Sequence, residues 1–315
     1  MSRVLISGVA GFVGSTLCER LIDFFEVIGI DNLSNGTLSN LHTLLNNQNM
    51  KFFKKDVRHI RCDEIPKSIK VLYHLAVNNI SNYSSYTENI EMTKKMLEIA
   101  RKKDVEKFVF VSSTKCMGLV TSKKPLDELV PCKPHDLYGR SKLECEKLVK
   151  NFCERYGIKY YIFRPPRIFG PRDWQRTFIN LSTLILKTGI VPLSPIKVNV
   201  IYVKNLVEAL YLVSRKNVET GVYIVSDGAY SISEVGITIS KILGKEKIRK
   251  LRLPKIIFSS YSLLTGSFTH ARRGITYSSR KFRREFNFTG SYSLYDGLKE
   301  TLIYFGIIKN DEGHL

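Results

Sequence analysis

Val4-Leu-Ile-Ser-Gly-Val-Ala-Gly-Phe-Val-Gly14 settles the class of fold. Strand-type residues from Val4 to Ser7 run into glycines at 8, 11 and 14, and Ser15-Thr-Leu-Cys-Glu-Arg-Leu-Ile22 then spaces its apolar residues as a helix does. A strand, a glycine turn and a helix start bring several backbone N–H groups and the positive end of a helix dipole to one point, which suits a phosphate. In this reading Gly8 permits the turn, Gly11 lets the backbone approach a pyrophosphate, and Gly14 lets helix and strand pack closely, with Phe12 and Val13 lining the site. Glu26-Val-Ile-Gly-Ile30 reads as a second strand with Asp31 at its end. A carboxylate there accepts hydrogen bonds from ribose hydroxyls and repels a 2′-phosphate, so NAD is favoured over NADP. An ordinary βαβ unit with Asp31 capping a turn is the alternative.

Outward from this unit, strands and helices alternate: Met50-Lys-Phe-Phe-Lys-Lys-Asp56-Val-Arg58, Lys70-Val-Leu-Tyr-His-Leu-Ala76, a helix from about Glu88 to Lys103, and Lys107-Phe-Val-Phe-Val111 ending in Ser112-Ser113-Thr114. This is the pattern of a parallel, doubly wound sheet, whose ligands lie at the carboxyl ends of the strands. Tyr138-Gly-Arg-Ser-Lys142 follows a proline-containing loop and opens a helix reaching about Tyr156. On that helix Tyr138 and Lys142 share a face. A cationic Lys142 is expected to lower the Tyr138 pKa and make the phenol a usable general base, with Ser113 bonding the same substrate oxygen. Arg164-Pro-Pro-Arg-Ile-Phe-Gly-Pro171 interrupts the alternation, so residues 1–165 are read as the cofactor domain and 166–315 as the substrate lobe, with some later segments returning to the first. Helices are expected near 176–188, 203–214, 231–243 and 294–305, and a strand at 222–225.

The 315 residues are 43% hydrophobic and 25% charged, a globular balance. No leader and no apolar run of spanning length is evident, so a soluble, cytoplasmic protein is expected. Six cysteines (18, 62, 116, 132, 145, 153) without a CxxC pair argue for reduced thiols and no metal, with Cys116 read as packing. Net charge is +20, and twelve Lys/Arg against Glu246 alone fall between Lys245 and Arg284. No nucleic-acid signature accompanies them, so a solvated basic face is preferred. Basic residues also flank Pro254-Lys-Ile-Ile-Phe-Ser-Ser-Tyr-Ser-Leu-Leu-Thr265, which admits membrane-surface contact, although a lid over the substrate is favoured.

With Gly8, Gly11, Gly14, Asp31, Ser113, Tyr138 and Lys142 in this order, the chain resembles the extended short-chain dehydrogenase/reductases, and within them the NAD-dependent sugar-nucleotide epimerases of the UDP-glucose 4-epimerase kind. The likeness covers nearly the whole chain. It implies a Rossmann-type sheet with a smaller C-terminal α/β substrate lobe, NAD as cofactor, a UDP-hexose substrate, and a homodimer formed through the helices near 88–103 and 139–156. Asp31-Asn32 resembles the family's second-strand turn, Asp56-Val57 its adenine contact, His74-Leu75-Ala76 its fourth-strand motif and Asn89-xxx-Thr93 its helix signature. The resemblance makes Ser113, Tyr138 and Lys142 the catalytic set, passing the sugar through a 4-keto form.

Five departures stand out. Thr114 and Lys115 stand where dehydrating relatives carry acids, which disfavours elimination. Arg167 occupies the place of an Asn near the substrate phosphate, and Val198 that of a diphosphate-gripping Arg. Lys204 replaces an acid, and Met117 a Tyr. Thr114, Arg167, Lys197 and Arg273 are the remaining candidates for holding substrate. A keto-sugar reductase or hydroxysteroid-type dehydrogenase of the same family is the rival activity, and a non-catalytic NAD-binding protein the rival of another class.

Overall fold

A computed structural model describes residues 1–78, 83–120, 122–245, 247–252 and 274–309. Six strands in the first half, β1 (Arg3–Ser7), β2 (Glu26–Asp31), β3 (Met50–Lys54), β4 (Ile69–His74), β5 (Lys107–Val111) and β6 (Lys159–Arg164), lie in one parallel sheet. Its order is β10-β6-β5-β4-β1-β2-β3, where β10 (Gly221–Ile224) pairs in parallel with β6. The order reverses between β1 and β4. That reversal opens the crevice in which doubly wound sheets bind ligands.

These strands read as near-continuous apolar runs because both faces of the sheet are covered. Val4, Ile6, Val71, Tyr73, Val109, Tyr161 and Phe163 point to one side, where α1 (Phe12–Leu21), α5 (Val203–Arg215) and α7 (Arg280–Phe286) cover them. Leu5, Leu72, Phe108, Phe110 and Ile162 point to the other, under α2 (Tyr83–Lys102) and α3 (Leu137–Tyr156). Their period of two is that of a pleated strand. α7 seats Phe282 against Phe163, with ring centroids 5.3 Å apart, and Phe286 against Tyr223 at the same distance.

The remaining elements form a second core. β7 (Arg167–Phe169), β9 (Lys197–Tyr202) and β11 (Gly228–Ser231) make a small sheet ordered β11-β9-β7, and β8 (Ile190–Leu193) pairs with β12 (Arg249–Arg252). α4 (Ile179–Thr188), α6 (Ile232–Ile242) and α8 (Leu294–Tyr304) close round Phe169, Ile185, Val200, Val235, Ile239 and Leu298. The elements expected in the second half are present. α2, however, begins at Tyr83, earlier than the predicted Glu88, because Thr87 Oγ1 bonds Ser84 O at 2.8 Å and Tyr83 stacks on Tyr86 at 5.3 Å, giving a polar first turn its own support. Among the described residues no helix is long and apolar enough to cross a membrane. The 254–265 segment lies outside the described residues.

Candidate active site

The glycine loop has the geometry its spacing demands. Gly8 sits at φ +77°, where a side chain would be strained, and a Cβ there would fall 2.7 Å from Ala76 N. A Cβ on Gly14 would fall 2.0 Å from Gly8 O, so only glycine lets α1 start against the loop. Gly11 is the N-cap of α1 and brings no side chain to the N–H groups of Phe12 and Val13. The orphan donors and the helix dipole therefore face the crevice. Asp31 is buried, with Oδ2 accepting from Ala10 N at 2.9 Å and Oδ1 from Leu33 N at 2.8 Å. Burial raises its pKa against those two bonds. Both readings of Asp31 thus coexist: it braces the loop, and each oxygen keeps a lone pair for a ribose hydroxyl. These residues fit a bound dinucleotide.

Around the loop the structure places the other predicted contacts. Asn32 Nδ2 donates to Asp56 Oδ2 at 3.3 Å, and Asp56 is held by Arg58, with Nη2 to Oδ2 at 2.9 Å. The Arg58 hydrogen bonds bring the Asp56 carboxyl down to about 2. Val57 is buried beneath them. Leu75 N bonds Ser7 O at 3.1 Å, which sets Leu75 and Ala76 beside Gly8. Asn89, buried on α2, clamps the backbone of Asn78 from both sides, accepting from its N–H at 2.8 Å and donating to its carbonyl at 3.3 Å. Its amide holds the loop after β4 and keeps one N–H and one lone pair for a ligand.

At the end of β5, Ser113 caps a 3₁₀ turn (Thr114–Met117), its Oγ accepting from Lys115 N at 3.2 Å. Tyr138, in the first turn of α3, stands beside Ser113, whose hydroxyl acts on the phenol. Gly139 makes the meeting possible, since a Cβ there would lie 2.6 Å from Lys115 O. Lys142 is buried, and its Nζ donates to Val111 O at 2.9 Å, 4.9 Å from the Phe110 ring centre and 5.8 Å from that of Tyr138. The expected depression of the Tyr138 pKa is not found. Burial and the charge of Asp136 push the phenol up to about 12, against the Ser113 hydroxyl and the charge of Arg167. Burial likewise brings Lys142 down to about 8. Desolvation outweighs the mutual effect of the pair because the ammonium is turned to a carbonyl.

The structure separates the candidates for substrate contact. Arg167, half-buried at the head of β7, exerts its charge on Tyr138. Thr114 is buried, with its N–H on Pro165 O at 3.0 Å and its side chain near Tyr277. Lys197 is exposed, and its charge acts on Glu234 at the start of α6. Arg273 lies outside the described residues. Lys204 is occupied by Glu300 at 2.5 Å.

Sequence reasoning missed a buried network behind the site. Glu146 takes Arg164 Nη2 at 2.6 Å and Nε at 3.0 Å, together with Ser112 Oγ. Nothing at the spacing of 146 and 164 signals that pair. Ser7 Oγ and Thr93 Oγ1 also hold His74, at 2.8 and 3.1 Å, and burial lowers its pKa to about 3, so it is neutral. A His in an apolar strand beside a Ser-ending strand was the available signal.

Comparison with known proteins agrees with this geometry. The chain is 34% identical over 179 residues to a putative UDP-glucose 4-epimerase of Methanocaldococcus jannaschii, a match spanning 54% of this chain and 57% of that relative's length. Its fold superposes on the UDP-N-acetylglucosamine 4-epimerase of Methanobrevibacter ruminantium M1, solved with UDP-N-acetylmuramic acid, with a TM-score of 0.80 and 24% identity over 97% of this chain and 98% of the other. The UDP-glucuronic acid 4-epimerase of Bacillus cereus, solved with UDP-glucuronic acid and NAD, gives 0.79 and 22% over 97% and 99%. Residues 4–226 match a single family model, and the chain belongs to the NAD dependent epimerase/dehydratase family.

Proposed function

We propose that the chain is a sugar-nucleotide 4-epimerase acting on a UDP-hexose. The placing of Tyr138 beside Ser113 carries this reading, set at the carboxyl end of β5 with Lys142 one turn along α3. NAD, when bound, supplies the hydride acceptor and donor that leave the overall reaction redox-neutral. Tyr138 takes the proton of the C4 hydroxyl and returns it after the 4-keto sugar has turned, and Ser113 holds the same oxygen. Lys142 holds the nicotinamide ribose, while Gly8, Gly11, Phe12, Val13 and Gly14 hold the pyrophosphate, Asp31 and Asn32 the adenosine ribose, and Asp56 and Val57 the adenine. Elimination of water needs an acid beside the sugar, whereas positions 114 and 115 hold Thr114 and Lys115. Asp136, whose charge acts on the phenol, caps α3 through Gly139 N at 2.7 Å and pairs with Lys115 at 3.3 Å.

One observation favours a second substrate class. Arg167 brings its positive charge to Tyr138, at the reacting hydroxyl, which suits a hexuronic acid whose carboxylate adjoins C4. We further propose a homodimer through the outer faces of α2 and α3, where Ile90, Leu148 and Phe152 remain half-buried in a single chain. Product mass spectrometry with UDP-hexoses, UDP-uronic acids and UDP-N-acetylhexosamines tests the activity. An isomer of one of them is expected, and a product lighter by one water would overturn the epimerase reading.

A further inference from the structure

The sulfurs of Cys116 and Cys132 lie 4.0 Å apart, although 16 residues separate them in the chain. Cys18, Cys62 and Cys145, by contrast, turn their sulfurs to Met50, Glu98 and the Asn89 carbonyl. The two segments are fastened at the backbone beside the thiols. Lys133 N bonds Met117 O at 3.3 Å, and a bridge joins Gly118 to Lys133 so closely that a Cβ on Gly118 would fall 1.8 Å from Lys133 O. Cys116 is buried, its Sγ 3.4 Å from Glu146 Oε1, whereas Cys132 is half-buried. The neighbouring Cys116 and the charge of Arg164 lower the Cys132 thiol against its burial, and Cys132 is the more exposed of the two sulfurs. A disulfide needs sulfurs about 2.05 Å apart, so closure requires a movement of about 2 Å.

We propose that Cys116 and Cys132 form a reversible disulfide under hydroperoxide, a modification site whose closure disarms the Ser113–Tyr138 pair. The Cys132 thiolate attacks one oxygen of the hydroperoxide, forming an S–O bond as the O–O bond breaks. The departing alkoxide takes a proton and leaves as the alcohol, or as water when the oxidant is hydrogen peroxide. Cys116 sulfur then attacks Cys132 sulfur, the S–S bond forms, the S–O bond breaks, and hydroxide leaves as water with the Cys116 proton. Two electrons pass from the thiol pair to the peroxide bond.

The consequence for the site follows from position. Cys116 belongs to the 3₁₀ turn that Ser113 caps, and its thiol sits against Glu146. Drawing Cys116 toward the loop shifts that turn and the Ser113 hydroxyl that caps it beside Tyr138. The loss of turnover rests on the epimerase reading, whereas the cross-link does not.

The test treats the reduced, full-length protein with hydrogen peroxide and maps its peptides without reduction. A Cys116–Cys132 linked pair is expected, with turnover falling on the order of 10²-fold, the size of effect that a misplacement of about 1 Å produces. Dithiothreitol should restore both. Cys132→Ser, at the half-buried position, should begin with unchanged turnover and keep it under peroxide. Free thiols at both positions, or Cys132 carried to the sulfinic acid without a link, would overturn the disulfide. A linked protein of unchanged turnover would overturn the disarming. No turnover before peroxide would count against the epimerase reading alone, leaving the peptide map to decide the disulfide.

Discussion

Tyr138 and Lys142 are moved by burial in opposite senses, the phenol up to about 12 and the ammonium down to about 8, and both shifts disfavour the charged form. Tyr138→Phe keeps the ring and loses the proton acceptor, so a fall of ~10²–10⁴ in turnover with NAD affinity retained is expected. Steady-state kinetics beside calorimetric NAD titration checks it, and full activity would overturn the mechanism. Lys142 also predicts a pH dependence of stability. Its folded pKa of about 8 lies below its ordinary 10.5, so between those values the unfolded chain binds the extra proton and stability rises with pH. The rise amounts to about 3 kcal/mol at most. Tyr138 acts oppositely between about 10 and 12, where the unfolded chain has already lost a proton that the fold retains. Lys142→Met should therefore raise the urea midpoint near pH 7, flatten the rise, and slow turnover, and a lowered midpoint would sink the account. Asp31→Ala should narrow the preference for NAD over NADP, read as a ratio of dissociation constants. Asp31, Ser113, Tyr138 and Lys142 were legible because strand ends and helix periods place them. The nearness of Arg167 to Tyr138 was not, because it depends on how β7 leaves the sheet.

Among the elements, the start of α3 is the joint on which the site turns. Gly139→Ala sets a Cβ 2.6 Å from Lys115 O, so α3 must back away from the Ser113 turn. Turnover is expected to fall while NAD binding persists, since the glycine loop lies across the crevice. Gly14→Ala does the reverse kind of harm: a 2.0 Å approach to Gly8 O displaces the head of α1, and NAD affinity should be lost first. Isothermal titration of the two variants separates them, and equal NAD affinity in both would contradict the assignment. The apolar periods of α1, α3 and α5 showed these helices in advance. The head of α2 was hidden because its support is polar, and the clamp of the Asn89 amide on Asn78 leaves no local pattern in the sequence.

For the molecule as a whole, light scattering at micromolar concentration should return the mass of two chains, and a monomer would contradict the α2–α3 interface. Much of the basic stretch 245–284 lies outside the described residues. Of its cations, Lys281 is spent on the Val222 carbonyl at 3.0 Å and Arg283 on Ser226 O at 3.2 Å, so part of this charge serves to tie α7 to the sheet. The alternation of strand and helix made the sheet readable up to β6. The return of β10 could be anticipated only as a segment coming back, because strand partners across a long excursion leave no local mark. That return governs how the chain is made. β6 exposes the edge Tyr160-Tyr-Ile-Phe163 until β10 reaches it, and α5 and α7, which cover one face of the same sheet, arrive in the same late interval. At ~5–20 residues per second a growing chain waits several seconds with an open, apolar strand edge. Residues 1–165 expressed alone should therefore aggregate, and in the cell this interval is where chaperones would find a hold on the nascent chain.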